Sequence, residues 1–247
     1  MSRLIAFWSP SGAGATTLLL NTAAAMGARK SNLAAVDMNL TTPSLALAAD
    51  LLPHDRPQSA CLSRLLPALE GGRLTSEELG RHLLPGPTFA LLPGVLDVIA
   101  GSRMVESHVR RVLQLLHSRF DVVLVDLTPA LDSVACLPVI EAADRVVLVV
   151  GPEIASRFHT RRFLLPVKAM GLDAKFLAVL NRAGSVPEAQ VAHDIDLPVR
   201  ATVPDLRLLP GMTDAGQIAY LSPSVHPSLG RFRTAIDGLA TQLILGE

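Results

Sequence analysis

The chain has 247 residues, long enough for one large α/β domain with a substantial core, and no internal stretch is long or polar enough to force a second. Lys plus Arg equals Asp plus Glu at 22 each, so no global field favours nucleic acid and a strongly basic DNA-packing protein is excluded. Although 49% of the residues are hydrophobic, no run reaches the roughly 18 uninterrupted apolar residues of a spanning helix. No cationic leader precedes an apolar segment, so a soluble, unprocessed protein is expected. The two cysteines, Cys61 and Cys136, sit in apolar surroundings without metal-ligand spacing, which predicts buried thiols in a reducing cytoplasm rather than disulfides or an iron–sulfur cluster.

In chain order, the apolar run Leu4 to Trp8 predicts a buried strand, and Thr16 to Arg29, with Leu18, Leu19, Ala23 and Met26, predicts a helix. The glycine-rich stretch Ser9 to Thr17 joins them. At such a turn consecutive backbone N–H groups and the positive end of the helix dipole can surround a phosphate. A phosphate-binding P-loop would also carry a lysine where Ala15 stands, and this chain offers a methyl group there. Further apolar runs follow at Leu33 to Asp37, Phe89 to Leu92, Val122 to Asp126, Val146 to Val150, Phe176 to Asn181 and Val199 to Val203. Short apolar runs alternating with helical patterns predict a doubly wound, mostly parallel sheet with helices on both faces.

The crossover helices are read at Glu106 to Arg119 and Ser156 to Met170, and Ser228 to Leu245 places Leu229, Phe232, Ile236, Leu239 and Leu243 on one stripe. That stripe suits a last core helix better than an amphipathic membrane tail. Leu51 to Pro93, with six prolines and Gly71-Gly72, predicts short helices and loops, including a capping box from Thr75 to Glu78. No internal repeat is evident. Arg157, His159, Arg161, Arg162 and Lys168 cluster on one predicted helix, read more readily as a solvated face than as a DNA patch.

Four segments in order, SPSGAGATT from Ser9, VDMNLTTPSL from Val36, FDVVLVDLTP from Phe120 and AVLNRAG from Ala178, make the chain resemble the MinD/ParA family of dimerising P-loop ATPases with a deviant Walker A loop. The resemblance covers nearly the whole length, residues 1–247 as a single domain, and the run Ala142 to Val150 followed by Gly151-Pro152-Glu153 looks like the family's fifth strand and its exit. Among the branches the chain is most similar to pilus-assembly proteins of the CpaE/TadZ type, whose loops are often degenerate.

The resemblance implies roles residue by residue. The family's loop carries two lysines, one contacting phosphates within its own subunit and one crossing to the partner's nucleotide; Ala15 and Pro10 stand at those positions. Ser11, Gly12, Ala13, Gly14, Ala15, Thr16 and Thr17 would line the phosphates, with Thr16 at the place of the magnesium-binding hydroxyl. The alternative reading of the loop is a plain strand-to-helix turn, with Pro10 fixing a dihedral and Thr16 capping. Asp37 and Asp126 end their strands as further Mg2+ ligands, Asp126 in the Walker B setting; its alternative role is to cap a helix from Ala130 onward. Asn39 falls where the family has the aspartate that orients the attacking water, and an amide cannot accept a proton at neutral pH. Asn181 would read the adenine edge under a loop around Pro204 and Asp205, or else be ordinary turn chemistry.

Losing one charge-assisted hydrogen bond costs about 1.5–3 kcal/mol, whereas losing a cation supplied in trans costs on the order of 10³–10⁵ in rate. The resemblance therefore implies a degenerate pseudo-ATPase in which ATP or ADP and Mg2+ bind weakly or not at all, with no confident catalytic residue. Its expected setting is the cytoplasm, at a cell pole or the inner-membrane face. There it would act as a homodimeric positioning or scaffold subunit of an envelope machine of the type IV/Tad pilus kind, meeting the membrane only through protein partners. The apolar segment Leu40 to Leu52 is read as a lasting dimer interface. The alternative is an active ATPase in chromosome or plasmid partitioning or division-site placement, which would need a cation from elsewhere, with Arg103, Arg157 and Arg182 as candidates. DNA binding is a weaker expectation.

Overall fold

In the computed structural model, residues 2–29, 31–52, 60–127 and 129–245 are described. The first half runs β1 (Arg3–Trp8), α1 (Ala15–Ala28), β2 (Leu33–Met38), α2 (Leu45–Ala48), α3 (Leu66–Glu70), α4 (Ser76–Arg81), β3 (Leu84–Pro85), β4 (Ala90–Leu92), α5 (Val98–Ser102) and α6 (Glu106–Arg119). The second runs β5 (Val122–Leu127), α7 (Cys136–Ala142), β6 (Arg145–Val150), α8 (Ile154–Ala169), β7 (Phe176–Ala183), α9 (Glu188–Ile195), β8 (Val199–Pro204), α10 (Leu209–Asp214) and α11 (Pro227–Leu245). The strands form one sheet in the order β3-β4-β2-β5-β1-β6-β7-β8, parallel except for β3, which runs antiparallel to β4.

Alternation along a strand explains why the inner strands are apolar over most of their length. In β1, Leu4, Ala6 and Trp8 join a core with α3, α4 and α6 to α9, while Ile5 and Phe7 join a second core with α1, α2 and α11. Both faces are covered, and the buried polar residues Asp37, Asp126 and Asn181 fall toward the carboxyl ends of their strands. Trp8 is fully buried, with edge-on ring contacts to Phe163 and Phe176 at 6.0 and 6.1 Å. The α11 stripe of Leu229, Phe232, Ile236, Leu239 and Leu243 is buried in the second core, as its spacing predicts. Each such side chain is worth about 1.5–3 kcal/mol when buried, which ties the helix to the sheet. Among the described residues, no helix is long and apolar enough to cross a membrane.

Two expectations give way here. β4 answers the apolar run Phe89 to Leu92, but β3, joined to it in an edge hairpin closed by the Gly86 N–H donating to the Phe89 carbonyl at 2.9 Å, lies where short helices and loops were expected. A strand of two residues ending in proline leaves no alternation to read. Within residues 40–52, Leu45, Ala46, Ala49 and Leu52 are buried in the second core and of the large apolar residues only Leu47 is exposed, so the apolar character of this segment serves the fold rather than a surface. Thr75 caps α4 as predicted, its hydroxyl accepting from the Glu78 N–H at 3.2 Å.

β1 is flanked by β5 on one side and β6 on the other, and β2 lies beyond β5. The chain therefore reverses direction across the sheet at β1. In open α/β sheets, ligands bind at such a switch point, outside the carboxyl ends of the strands.

Candidate functional site

The turn between β1 and α1 is held by its own backbone and by one serine. The Gly12 N–H donates to the Ser9 carbonyl at 3.2 Å, and the Ala13 N–H donates to Ser9 Oγ at 2.7 Å. Gly12 (φ +68°) and Gly14 (φ +93°) both occupy the left-handed region. A side chain at Gly14 would also meet Asn181 Nδ2 at 2.8 Å, so this glycine is required by strain and by space. Gly14 is the N-cap of α1; no side chain caps that end, and no acidic residue lies in its first turn. The first N–H groups of α1 consequently face the site as unneutralised dipole, the feature that suits an anion.

Thr16 is not the cap. Its hydroxyl donates across to Asp126 Oδ2 at 2.7 Å. Asp126 does not cap a following helix either: α7 starts only at Cys136, with Ala135 as its N-cap. Asp37 and Asp126 are direct register partners on β2 and β5, both 1% exposed. Asp37 accepts from the N–H groups of Asn39, Ser44 and Leu45 at 2.9–3.0 Å, which folds the chain after β2 back onto the strand end. Burial outweighs these hydrogen bonds and pushes the Asp37 carboxyl up to about 6. Asp126 lies well above the ordinary carboxylate range, first through burial and then through the neighbouring Asp37 charge, with the Thr16 hydroxyl opposing. Asp126 Oδ1 is buried and, among the described residues, has no hydrogen-bond partner. Two adjacent carboxylates, a hydroxyl and an orphaned carboxylate oxygen are the hard oxygen donors that Mg2+ takes, so these residues fit that ion.

Asn39 is occupied by its own loop. Its Oδ1 accepts from the N–H groups of Thr41 and Thr42 at 3.2 and 3.0 Å, and its Nδ2 donates to the Thr42 carbonyl at 3.0 Å. It is a turn former here, with both ends of its amide bonded to Thr41 and Thr42. Asn181, 3% exposed, donates from Nδ2 to the Ala13 carbonyl at 2.8 Å, tying the end of β7 to the loop. Beside it a cavity of about 270 Å³ is lined by Gly12, Gly14, Thr17, Asn181, Pro204 and Asp205, with Arg182 and α10 completing the wall. Six of the ten sequence-read nucleotide residues, from three separate segments, thus share one cavity, while Ser11, Ala13, Ala15 and Thr16 are not among the residues that line it. Sequence reasoning missed Ser9 and Ser156, whose hydroxyl accepts from the Gly151 N–H at 2.8 Å and meets Ser11 Oγ at 2.7 Å. It also missed the contribution of α10, and no residue pattern there signals a ligand.

Of the three candidate cations, Arg103 pairs with Glu70 at 2.6 Å and lines a separate cavity. Arg157 is buried, pairs with Asp194 at 2.8 Å and donates to the Pro152 carbonyl. Arg182 alone of the three lines the loop cavity. The basic cluster on α8 is smaller than it reads: Arg157 and Lys168 are paired to Asp194 and Asp196 on and after α9. Exposed Arg161 is flanked on one face of the helix by the exposed side chains of Ile154, Phe158 and Leu165. A mixed apolar face of this kind is unlike a phosphate-tracking groove.

No protein-family model matches the chain, and no curated protein matches it. Among solved structures it is similar over nearly its whole length to a ParA family ATPase from Chlorobium tepidum TLS, with 19% identity, 98% of each chain covered and a TM-score of 0.84. It is also similar to the cell division ATPase MinD of Pyrococcus furiosus, with 23% identity, 100% of each chain covered and a TM-score of 0.81. The septum site-determining protein MinD of Pyrococcus horikoshii OT3, complexed with Mg-ADP, matches with 23% identity over 98% of this chain and 96% of that one, at a TM-score of 0.78. The fold is therefore that of the MinD/ParA-like P-loop NTPases.

Proposed function

We propose that this chain is a MinD/ParA-like pseudo-ATPase of the CpaE/TadZ kind, which binds an adenine nucleotide weakly and works as a homodimeric positioning or scaffold subunit of a cytoplasmic-face assembly such as a type IV/Tad pilus system. The observation that carries the reading is the loop itself: an uncapped helix N-terminus and two left-handed glycines are kept, while Pro10 and Ala15 supply neither of the expected charges. Thr16, Asp37 and Asp126 would hold Mg2+, which when bound neutralises phosphate charge. Ser11, Gly12, Ala13, Gly14, Ala15, Thr16 and Thr17 would surround the phosphates, and Asn181, Pro204 and Asp205 the base. Hydrolysis fails for a separate reason, because Asn39 is locked in its own turn and carries no charge.

A lasting dimer finds its support on α8 rather than in residues 40–52. Ile154, Phe158 and Leu165 are each at least 60% exposed on one helical face. That face begins beside the loop, where Ser156 meets Ser11. Exposed apolar side chains in register are what a constitutive contact needs. Sedimentation with and without Mg-ATP tests the proposal, with a dimer expected in both; a monomer that dimerises only with nucleotide would overturn it.

A second reading, an active ATPase in chromosome or plasmid partitioning or division-site placement, draws on one observation, the presence of Arg182 in the cavity. It requires phosphate release that depends on Asp126.

A further inference from the structure

We propose that Arg182 is the phosphate-binding cation of this site, restrained by Glu153 until the phosphates of a bound nucleotide take the place of that carboxylate. The proposal rests on the nucleotide-binding reading above and adds to it the charge that the loop lacks.

Strand geometry sets Arg182 apart. Consecutive side chains on a regular strand point to opposite faces, yet Asn181 and Arg182 line the same cavity. The pairing of β7 with β8 shifts register between Leu180 and Ala183, and Arg182 sits at φ +55°. An irregularity of this kind turns a side chain out of its normal direction, and L-residues enter the left-handed region only at an energetic cost. Strain retained at a cavity wall is the pattern of a functional position.

The guanidinium is also placed to serve. Arg182 Nη2 lies 3.1 Å from Glu153 Oε1, and it lies 3.1 Å from where a side chain at Gly151 would begin. The charge thus packs beside Gly151, whose N–H is linked through Ser156 to Ser11 of the loop. Among the described residues lining the cavity, Arg182 is the only basic one. Both members of the Arg182–Glu153 pair are about half exposed, at 46% and 52%, and a pair this open to water is weak. A phosphate offers the same planar fork a stronger, doubly charged partner.

The test is calorimetric titration of the full chain with adenosine, ADP and Mg-ATPγS. Arg182→Gly removes the charge while suiting the left-handed backbone, and Arg182→Lys and Glu153→Gln complete the set. The expected result is that Arg182→Gly weakens ADP and Mg-ATPγS by about tenfold or more and leaves adenosine within about twofold. Arg182→Lys should recover part of the loss, and Glu153→Gln should tighten ADP. Equal weakening of adenosine and ADP would mean that the residue only shapes the cavity, and would overturn the proposal. Unchanged ADP binding by Arg182→Gly would overturn it while leaving the nucleotide reading intact. A wild-type chain that binds none of the three ligands would overturn both.

Discussion

Replacing Asp126 by asparagine should stabilise the ligand-free protein at alkaline pH, an unusual direction for a change at a buried site. Asp37 and Asp126 face each other from adjacent strands, and burial raises both carboxyl groups above their ordinary range. The folded form then holds protons that the unfolded chain has released. The associated stability is fully present below about pH 4 and is lost as pH rises through about 6 for Asp37, and as pH rises past the ordinary carboxylate range for Asp126. For Asp37, a rise from 3.8 to about 6 corresponds to about 3 kcal/mol at about 1.4 kcal/mol per unit. In Asp126→Asn the new side chain would keep an oxygen for the Thr16 hydroxyl and remove the charge repulsion. Its amide nitrogen would face the volume now occupied by the orphaned Oδ1, at a cost of about 1–3 kcal/mol that offsets part of the gain. Urea denaturation at pH 5 and pH 8 measures the balance. The variant should be more stable than wild type at pH 8, with the difference shrinking at pH 5. A variant less stable at pH 8, or two parallel pH profiles, would refute the reasoning.

Other changes probe the loop. Gly14→Ala forces a side chain into φ +93° and against Asn181 Nδ2, breaking the tie from Asn181 to Ala13. It should cost about 2–4 kcal/mol in a denaturant melt, and a loss under about 0.5 kcal/mol would show that the loop relaxes freely. Ala15→Lys restores one of the two missing charges. ADP affinity measured by titration should rise by about tenfold or more, without turnover, because Pro10 and Asn39 remain; unchanged affinity would mean that the loop does not hold phosphates.

Much of the architecture was legible because a parallel sheet covered on both faces must spell its inner strands as largely apolar runs, and six of the strands do so from Leu4 to Leu180, while β8 carries Arg200 and Thr202 between its apolar residues. The start of α1 and the position of Asp126 followed from the same runs. The short segment around Leu45 was ambiguous, because a helix of four residues has no periodicity to separate core from surface. Arg157 read as part of a charged face because its partner, Asp194, lies on another helix, and pairing across elements leaves no local signal. The same holds for Ser156, which meets the loop across 145 residues. Arg182 was legible as one of three candidate cations for the site but could not be told from Arg103 and Arg157, since a register shift and a left-handed backbone decide where it points.

The loop between β1 and α1 retains the shape of a phosphate site without the charges that drive hydrolysis, and on this the proposed function depends. Steady-state phosphate release at saturating Mg-ATP, compared between wild type and Asp126→Ala, tests it most directly. The two should be indistinguishable and close to background. Sustained release by wild type that Asp126→Ala abolishes would contradict the account.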